Sequence, residues 1–196
     1  NASDWTVPGN IVINGGTYNL SNGGSARTVN MGDTPKTISF GASGGTFNVN
    51  NNNFYPSAPV GQTLSISTAG GSAPQANLVA SATSGASIGI NTDNDIVNFN
   101  IARGVGTTDL LISAPLWNGG SVTKTGNGIL TLTGDSSHTG TITVSAGTMQ
   151  VGNGSTTGSL TSTSIINNAN LAYSRSDNID IPAATVTATE DARTQA

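Results

Sequence analysis

The segment Ile142-Thr-Val-Ser-Ala-Gly-Thr-Met-Gln-Val151 consists of two short apolar alternations that flank a small turn. Ile142 and Val144 precede the turn, and Met149 and Val151 follow it. Because successive side chains of a β-strand point to opposite faces, this alternation places the apolar residues on one face of each strand. The segment is therefore predicted to form two strands that point their apolar side chains into one core.

The same pattern recurs elsewhere in the chain, which indicates an internal repeat. Ile38 follows Ile11 by 27 residues, and Ser164 follows Ile142 by 22, so each repeat is about as long as one coil of a β-solenoid. The further copies are Ile11-Val-Ile-Asn-Gly-Gly-Thr-Tyr-Asn-Leu20, Ile38-Ser-Phe-Gly-Ala-Ser-Gly-Gly-Thr-Phe-Asn-Val49 and Ser164-Ile-Ile-Asn-Asn-Ala-Asn-Leu-Ala-Tyr173. The predicted core positions are Ile11, Ile13, Ile38, Phe40, Leu130, Leu132, Ile142, Val144, Met149 and Val151.

A single coil of this kind cannot fold alone. Its four or five apolar side chains are too few to offset the conformational entropy that is lost when the coil becomes ordered. Stacked coils pair their backbones above and below and share one core, which closes the deficit. The sequence therefore predicts an all-β, parallel β-solenoid with about 20–27 residues per coil, about seven to nine coils and an open sheet edge at each end.

The composition agrees with an all-β chain of short strands. Gly, Ser, Thr and Asn make up about half of the 196 residues, charged residues make up 8%, and Glu190 is the only glutamate. Strong helix formers are therefore scarce, whereas Thr, Val and Ile suit a pleated sheet. The regular spacing of the apolar residues, which make up 35% of the chain, argues against disorder.

The charge and the missing cysteines exclude several classes of function. The formal net charge is −4 and the six basic residues are scattered, so no nucleic acid partner is expected. The sequence contains no cysteine, which excludes a disulfide framework. No run of 18 apolar residues occurs, so membrane insertion by this chain is not expected.

Residues 109–181 resemble the autotransporter-associated β-strand repeat, also called the passenger-associated transport repeat. The resemblance is carried by Gly119-Gly-Ser-Val-Thr-Lys-Thr-Gly-Asn-Gly-Ile-Leu-Thr-Leu-Thr-Gly134 and by Thr139-Gly-Thr-Ile-Thr-Val-Ser-Ala-Gly-Thr-Met-Gln-Val-Gly-Asn-Gly154. Ser121 and Val122 stand where Gly-Leu is usual in the family, Ile129 where Thr is common, and His138 where an aromatic residue is frequent.

The resemblance implies a right-handed parallel β-helix in a large bacterial protein that is secreted or exposed on the cell surface. In that family the helix serves as a stalk or passenger, is often adhesive, and contains a repeat thought to assist export. The expected location is therefore extracellular, at the bacterial surface or in a matrix. A non-enzymatic structural function follows, without any cofactor.

Two short motifs suggest nucleophilic catalysis, but their context favours a structural interpretation. Asp135, Ser136, Ser137 and His138 contain triad residue types, yet consecutive residues cannot converge as a triad requires. His138 is therefore expected to be a solvated turn residue. The segment Gly41-Ala-Ser-Gly-Gly45 matches a nucleophile elbow, but it lies between two predicted strands with no helix to follow it.

Two other short segments contain residue types that can bind a ligand. Asp93 and Asp95 form the densest acidic cluster; a solvated loop is preferred, with a calcium site or an acid–base pair as alternatives. Phe54 and Tyr55 are predicted to lie in a protruding loop, where they would either stack on a sugar or pack against the flank of the helix. The alternative function is therefore a β-helix that binds or cleaves polysaccharide.

The solenoid is predicted to span residues 1–182, and residues 183–196 are predicted to be a polar C-terminal arm or linker. Two structural functions remain open: a segment of a stalk or adhesin passenger, and a self-assembling subunit of a surface or matrix fibre. In the second, copies would associate end to end through open β-edges, with Ala183 to Thr189 as a donated strand. A glycan or another cell-surface molecule is a further possible partner.

Overall fold

A computed structural model of the chain describes residues 5–6, 9–20, 28–31, 35–50, 53–55, 62–80, 89–91, 95–162, 164–179 and 186–188. All regular elements within these ranges are β-strands. In chain order they are β1 (Trp5–Thr6), β2 (Ile11–Ile13), β3 (Thr17–Asn19), β4 (Thr28–Asn30), β5 (Lys36–Phe40), β6 (Gly45–Asn48), β7 (Asn53–Tyr55), β8 (Thr63–Thr68), β9 (Ala76–Val79), β10 (Gly89–Asn91), β11 (Ile96–Ile101), β12 (Leu110–Ile112), β13 (Leu116–Asn118), β14 (Ser121–Thr125), β15 (Ile129–Leu132), β16 (Ser137–His138), β17 (Thr141–Val144), β18 (Thr148–Ser155), β19 (Ser164–Asn167), β20 (Asn170–Arg175) and β21 (Val186–Ala188).

The strands form three sheets, and all pairs between named strands are parallel. Sheet A has the order β1-β4-β7-β10-β13-β16, sheet B the order β2-β5-β8-β11-β14-β17-β19-β21, and sheet C the order β3-β6-β9-β12-β15-β18-β20. From β1 to β18 the chain visits sheets A, B and C in turn, so each coil adds one strand to every sheet. This arrangement confirms the predicted parallel β-solenoid.

The core consists of columns of side chains that run along the stack. In sheet C, strand pairing aligns Phe47 with Leu78, Leu78 with Ile112, and Ile112 with Leu132. All four side chains are at most 1% exposed. The ten core positions taken from the sequence are likewise buried. The column from Phe47 to Leu132 is therefore extended by one apolar side chain per coil, as the alternation in the sequence requires.

The coils in the middle of the chain are longer than the predicted 20–27 residues. Val122 pairs with Ile142, 20 residues later, but Leu64 pairs with Val97, 33 residues later, and Phe54 pairs with Ile90, 36 residues later. The strands stay in register because the extra residues lie in the connections between them. A repeat length taken from the clearest copies therefore underestimates the others.

The last strand of sheet B lies inside the segment that was predicted to be an arm. Strand β21 pairs with β19, aligning Val186 with Ile165 and Ala188 with Asn167. The sheet therefore extends beyond the predicted boundary at residue 182, and the middle of the Ala183 to Thr189 segment is paired within its own chain. The alternation that suggested a donated strand therefore coincides with a strand of sheet B.

Polar side chains also stack between coils, outside the core. The Asn48 side-chain amide donates to Asn19 Oδ1 over 2.9 Å, and the Ser67 hydroxyl donates to Ser39 Oγ over 3.3 Å. Both contacts join residues that are equivalent in adjacent coils. Repetition of a polar residue at one position thus adds hydrogen bonds parallel to the solenoid axis.

Gly140→Ala tests how closely adjacent coils approach each other. A methyl group at Gly140 would overlap the backbone carbonyl oxygen of Gly120 in the preceding coil. Because backbone cannot yield as a flexible side chain does, we expect the free energy of unfolding to fall by about 2 kcal/mol or more. Urea unfolding measures this change. Gly9→Ala is the matched control, since no atom lies within 4 Å of its added methyl group; equal effects of the two substitutions would contradict the stacking.

Candidate functional site: a buried charged corner

A lysine occupies a position in the core of sheet B that is apolar in the coils on either side. Strand pairing places Lys124 between Phe99 of the preceding coil and Val144 of the following coil. All three side chains are fully buried. Charged side chains are almost never fully buried unless they are paired, so this residue requires partners.

The partners of Lys124 are backbone carbonyl groups at the corner between sheets B and C. Nζ donates to the Thr125 and Gly126 oxygens over 2.8 Å each, and to the Ala146 oxygen over 3.0 Å. Gly126 has a φ of 72°, in the left-handed region that glycine adopts readily. The first two acceptors belong to the coil of Lys124, and the third belongs to the next coil. The ammonium group therefore joins two coils at this corner.

Asp109 lies at the same corner and is 3% exposed. Its Oδ1 accepts from Arg103 Nη1 and from the Gly104 amide, both over 2.7 Å, and its Oδ2 accepts from the Ile129 amide over 2.7 Å. Arg103 is 44% exposed, so the surface part of this network contributes little to stability. The buried carboxylate instead holds the connection before β12 against the coil that contains Lys124.

Burial lowers the pKa of the Lys124 ammonium from 10.5 to about 8, and the charge of Asp109 opposes this shift to a smaller extent. A lysine of this kind can act as a base or nucleophile where a substrate can reach it. Here the side chain is fully buried and all three of its hydrogen bonds end on backbone oxygens. The arrangement is therefore suited to fastening coils together and not to catalysis.

Lys124 was not among the site residues predicted from the sequence. The six basic residues are scattered along the sequence, and none of them was singled out as a site residue. A usable signal was nevertheless present: Val122 and Lys124 are two residues apart, in the inward phase of the alternation. A charged residue in that phase has to be buried when the strand is stacked.

His138 is not the solvated turn residue that was expected. It lies in β16, beside Asn118 of β13, and its side chain is fully buried. Desolvation lowers the pKa of the imidazole to about 4, while hydrogen bonds with the backbone of Asn118 and Thr141 oppose this shift. The expectation failed because the two-residue strand Ser137–His138 is too short to show an alternation. The histidine is neutral at pH 7.

The acidic cluster is only partly within the described residues, because Asp93 lies outside them. Asp95 precedes β11 and is fully buried. Its Oδ1 accepts a hydrogen bond from the backbone amide of Gln62 over 3.1 Å. Asp95 is therefore not a residue of a solvated loop. Among the described residues, no group of three or more His, Cys, Asp or Glu side chains could hold a metal ion.

The predicted ligand loop is part of sheet A. Phe54 lies in β7, is fully buried, and contacts Phe47 edge to face with 5.5 Å between ring centroids. The predicted protruding loop is therefore wrong for Phe54, because this residue lies in a strand and its side chain packs in the core, neither on a sugar nor on the flank of the helix. The side chain of Tyr55 lies outside the described part of the structure. Ser43, in the elbow-like motif, lies in an exposed turn between β5 and β6.

Comparison with known families supports the resemblance noted above. Residues 122–151 match the family model described as Passenger-associated-transport-repeat. The match spans 30 of the 196 residues and includes both Lys124 and His138. No curated protein and no solved structure matches the chain. Residues 122–151 are thus similar to a passenger-associated transport repeat.

Within the residues that the structure describes, no helix has the length and hydropathy needed to cross a lipid bilayer.

Lys124→Met is expected to change how stability depends on alkaline pH. Between pH 8 and 10.5 the unfolded lysine keeps its proton while the folded one has released it, so stability rises with pH. We expect the wild-type chain to gain up to about 3 kcal/mol relative to the variant across this range. Urea unfolding at a series of pH values measures the difference. Parallel curves for the two proteins would contradict the burial of a charged lysine.

His138→Phe is expected to change how the free energy of unfolding depends on pH below pH 6.5. Between pH 6.5 and 4 the unfolded histidine binds a proton that the folded one does not, so wild-type stability falls as the pH falls. The loss relative to the variant should approach about 3 kcal/mol at pH 4. Equilibrium unfolding is the measurement, with NMR titration of the imidazole as a direct check. A folded-state pKa near 6.5 would refute the predicted burial.

Proposed function

We propose that this chain is a structural segment of a secreted or surface-exposed bacterial passenger protein, in which it acts as a β-solenoid stalk. The observation that carries this proposal is the burial of three ionisable side chains between the coils. Lys124, Asp109 and His138 are buried and are used to hold coils together. The outward positions of sheet B, by contrast, carry side chains of little chemical reactivity.

The outer face of sheet B supports this proposal. Across strands β5, β8, β11, β14 and β17 the outward positions alternate with buried ones. Apart from Ile96, these positions hold only Ser, Thr and Asn. The charged residues of the five strands are Lys124, which is buried, and Lys36, which is half-buried at the start of β5. Most glycoside hydrolases use a pair of carboxylates that flank the scissile bond. A flat neutral face suits a spacer better than it suits an active site.

The family match supports the proposed location. Passenger repeats occur in proteins that are secreted or displayed on the cell surface, and we therefore place this chain at the bacterial surface or in an extracellular matrix. The lack of cysteine, the low charge and the rod-like stacking are compatible with that environment. Adhesion to a glycan or another surface molecule would then depend on parts of the protein that the stalk presents.

End-to-end self-association is a second structural proposal, and one observation favours it. At the first coil described, Tyr18 is 43% exposed although it stacks on Phe47, with 5.7 Å between ring centroids. An aromatic residue at the end of a core column offers apolar surface to whatever continues the stack. The partner would be a further coil, from this protein or from a second copy.

Sedimentation velocity across a concentration series, combined with negative-stain electron microscopy, tests the stalk proposal. We expect single particles at every concentration. Filaments of uniform width would instead establish a self-assembling subunit, and Tyr18→Lys should then shorten them by charging the exposed end of the column. Thr123→Lys, which changes a lateral face by the same charge, is the matched control.

The same preparation tests the non-enzymatic part of the proposal. Incubation with a panel of neutral and acidic polysaccharides is expected to release no reducing ends above a heat-denatured control. Release that depends on the folded chain would contradict a purely structural function and would support the polysaccharide-cleaving alternative.

A further inference from the structure

The apolar pattern leaves the register between two adjacent coils underdetermined. These are the coil of β14 and β15 and the coil of β17 and β18. In the observed register Val122 pairs with Ile142, and Lys124 pairs with Val144. A shift of two residues would keep every inward side chain inward, because the side-chain period of a strand is two. Burial of apolar side chains alone therefore does not select the observed stacking.

The hydrogen bonds of Lys124 do distinguish the registers. Its third acceptor, the Ala146 carbonyl, belongs to the following coil and lies 3.0 Å from Nζ. Ala146 precedes Gly147, whose φ of 68° turns the backbone at this corner. A shift of two residues would move the Ala146 carbonyl by about 6.6 Å along the strand, beyond hydrogen-bonding distance.

The strand carbonyl groups are poorly placed to replace this acceptor, because they lie in the plane of the sheet and point toward the adjacent coils. In β17 the Val144 oxygen already accepts from the Asn168 amide of the next coil over 2.8 Å. A shifted register would thus bury the Lys124 ammonium with an incomplete set of acceptors. An under-coordinated buried charge is costly, whereas a buried and satisfied charge adds little net stability. The difference in free energy between the observed and the shifted register is what allows a buried lysine to select one register.

We propose that Lys124 is a register-fixing residue that selects the alignment of the β17–β18 coil on the β14–β15 coil. The proposal concerns the assembly of the solenoid and is independent of whether the protein acts as a stalk or as a fibre subunit. It also explains why a lysine is present at a core position that is apolar in the adjacent coils.

Disulfide trapping can read the register directly, because the chain has no cysteine of its own. Thr123 and Thr143 are paired outward positions, and their Cα atoms are about 4.8 Å apart, within the range of a disulfide. The combinations Thr123→Cys with Thr141→Cys, and Thr123→Cys with Ser145→Cys, report shifts of two residues. In the observed register their Cα atoms are about 8 Å apart, which is too far for a disulfide.

Each cysteine pair is introduced into the wild-type chain, into Lys124→Met and into Val144→Met, and the proteins are refolded in a glutathione redox buffer. Mass spectrometry of the cross-linked peptides then quantifies each register. Val144→Met is the matched control, since it places methionine in the same column, one coil later, and leaves the charge intact.

We expect the wild-type chain and Val144→Met to form only the Thr123–Thr143 cross-link. In Lys124→Met the shifted cross-links should rise at least about tenfold, which corresponds to a loss of about 1.4 kcal/mol in register preference. Lys124→Met chains that refold and cross-link only in the observed register would overturn the proposal.

A second variant, Lys124→Leu, keeps the proposal testable if Lys124→Met does not refold. Lys124→Leu also removes the charge, with a shorter side chain, and should give the same shifted cross-links. If neither variant refolds while Val144→Met does, the proposal is contradicted. In that case Lys124 would be required for stability itself and not for the choice between two folded registers.

Discussion

The structure depends on the in-register, parallel pairing of backbone hydrogen bonds from coil to coil. Each coil has too small a core to be stable alone, so its free energy of folding comes from the coils above and below it. The pairing brings equivalent residues of adjacent coils within about 4.8 Å of each other along the axis. Any residue type that recurs at one position therefore becomes a column, whether apolar, as for Phe47 and Leu78, or polar, as for Asn19 and Asn48.

The features that repeat could be predicted from the sequence, and those that do not repeat could not. Alternation around Ile142 and Met149 correctly located the strands that this coil adds to sheets B and C. The strand that it adds to sheet A was missed, because Ser137–His138 is too short to show an alternation. Coil length was underestimated because the connections are free to vary while the strands are not. Strand β21 was not predicted as part of sheet B, because the alternation of Val186 and Ala188 is short and lies outside the clear repeats.

The charged corner shows a different limit of the sequence. His138 was predicted from its residue type to be a solvated turn group and Lys124 was not singled out, although both side chains are buried in strands. The stacking of the coils buries these side chains despite their preference for water, and nearby hydrogen-bond partners offset the free-energy cost of burial. For Lys124 the compensation comes from three backbone oxygens, one of them supplied by the next coil. Such partners are set by corner geometry, which has no simple signature in the sequence.

A measurement of distance along the axis tests the stacked architecture most directly. Spin labels at Ser65 and Ile166, four coils apart on the outer face of sheet B, are separated by 101 residues in sequence. The account predicts a narrow distance distribution whose backbone separation is about 19 Å. The absence of native cysteine allows both sites to be labelled cleanly. A broad distribution centred well beyond this value would show that the coils do not stack in the order described.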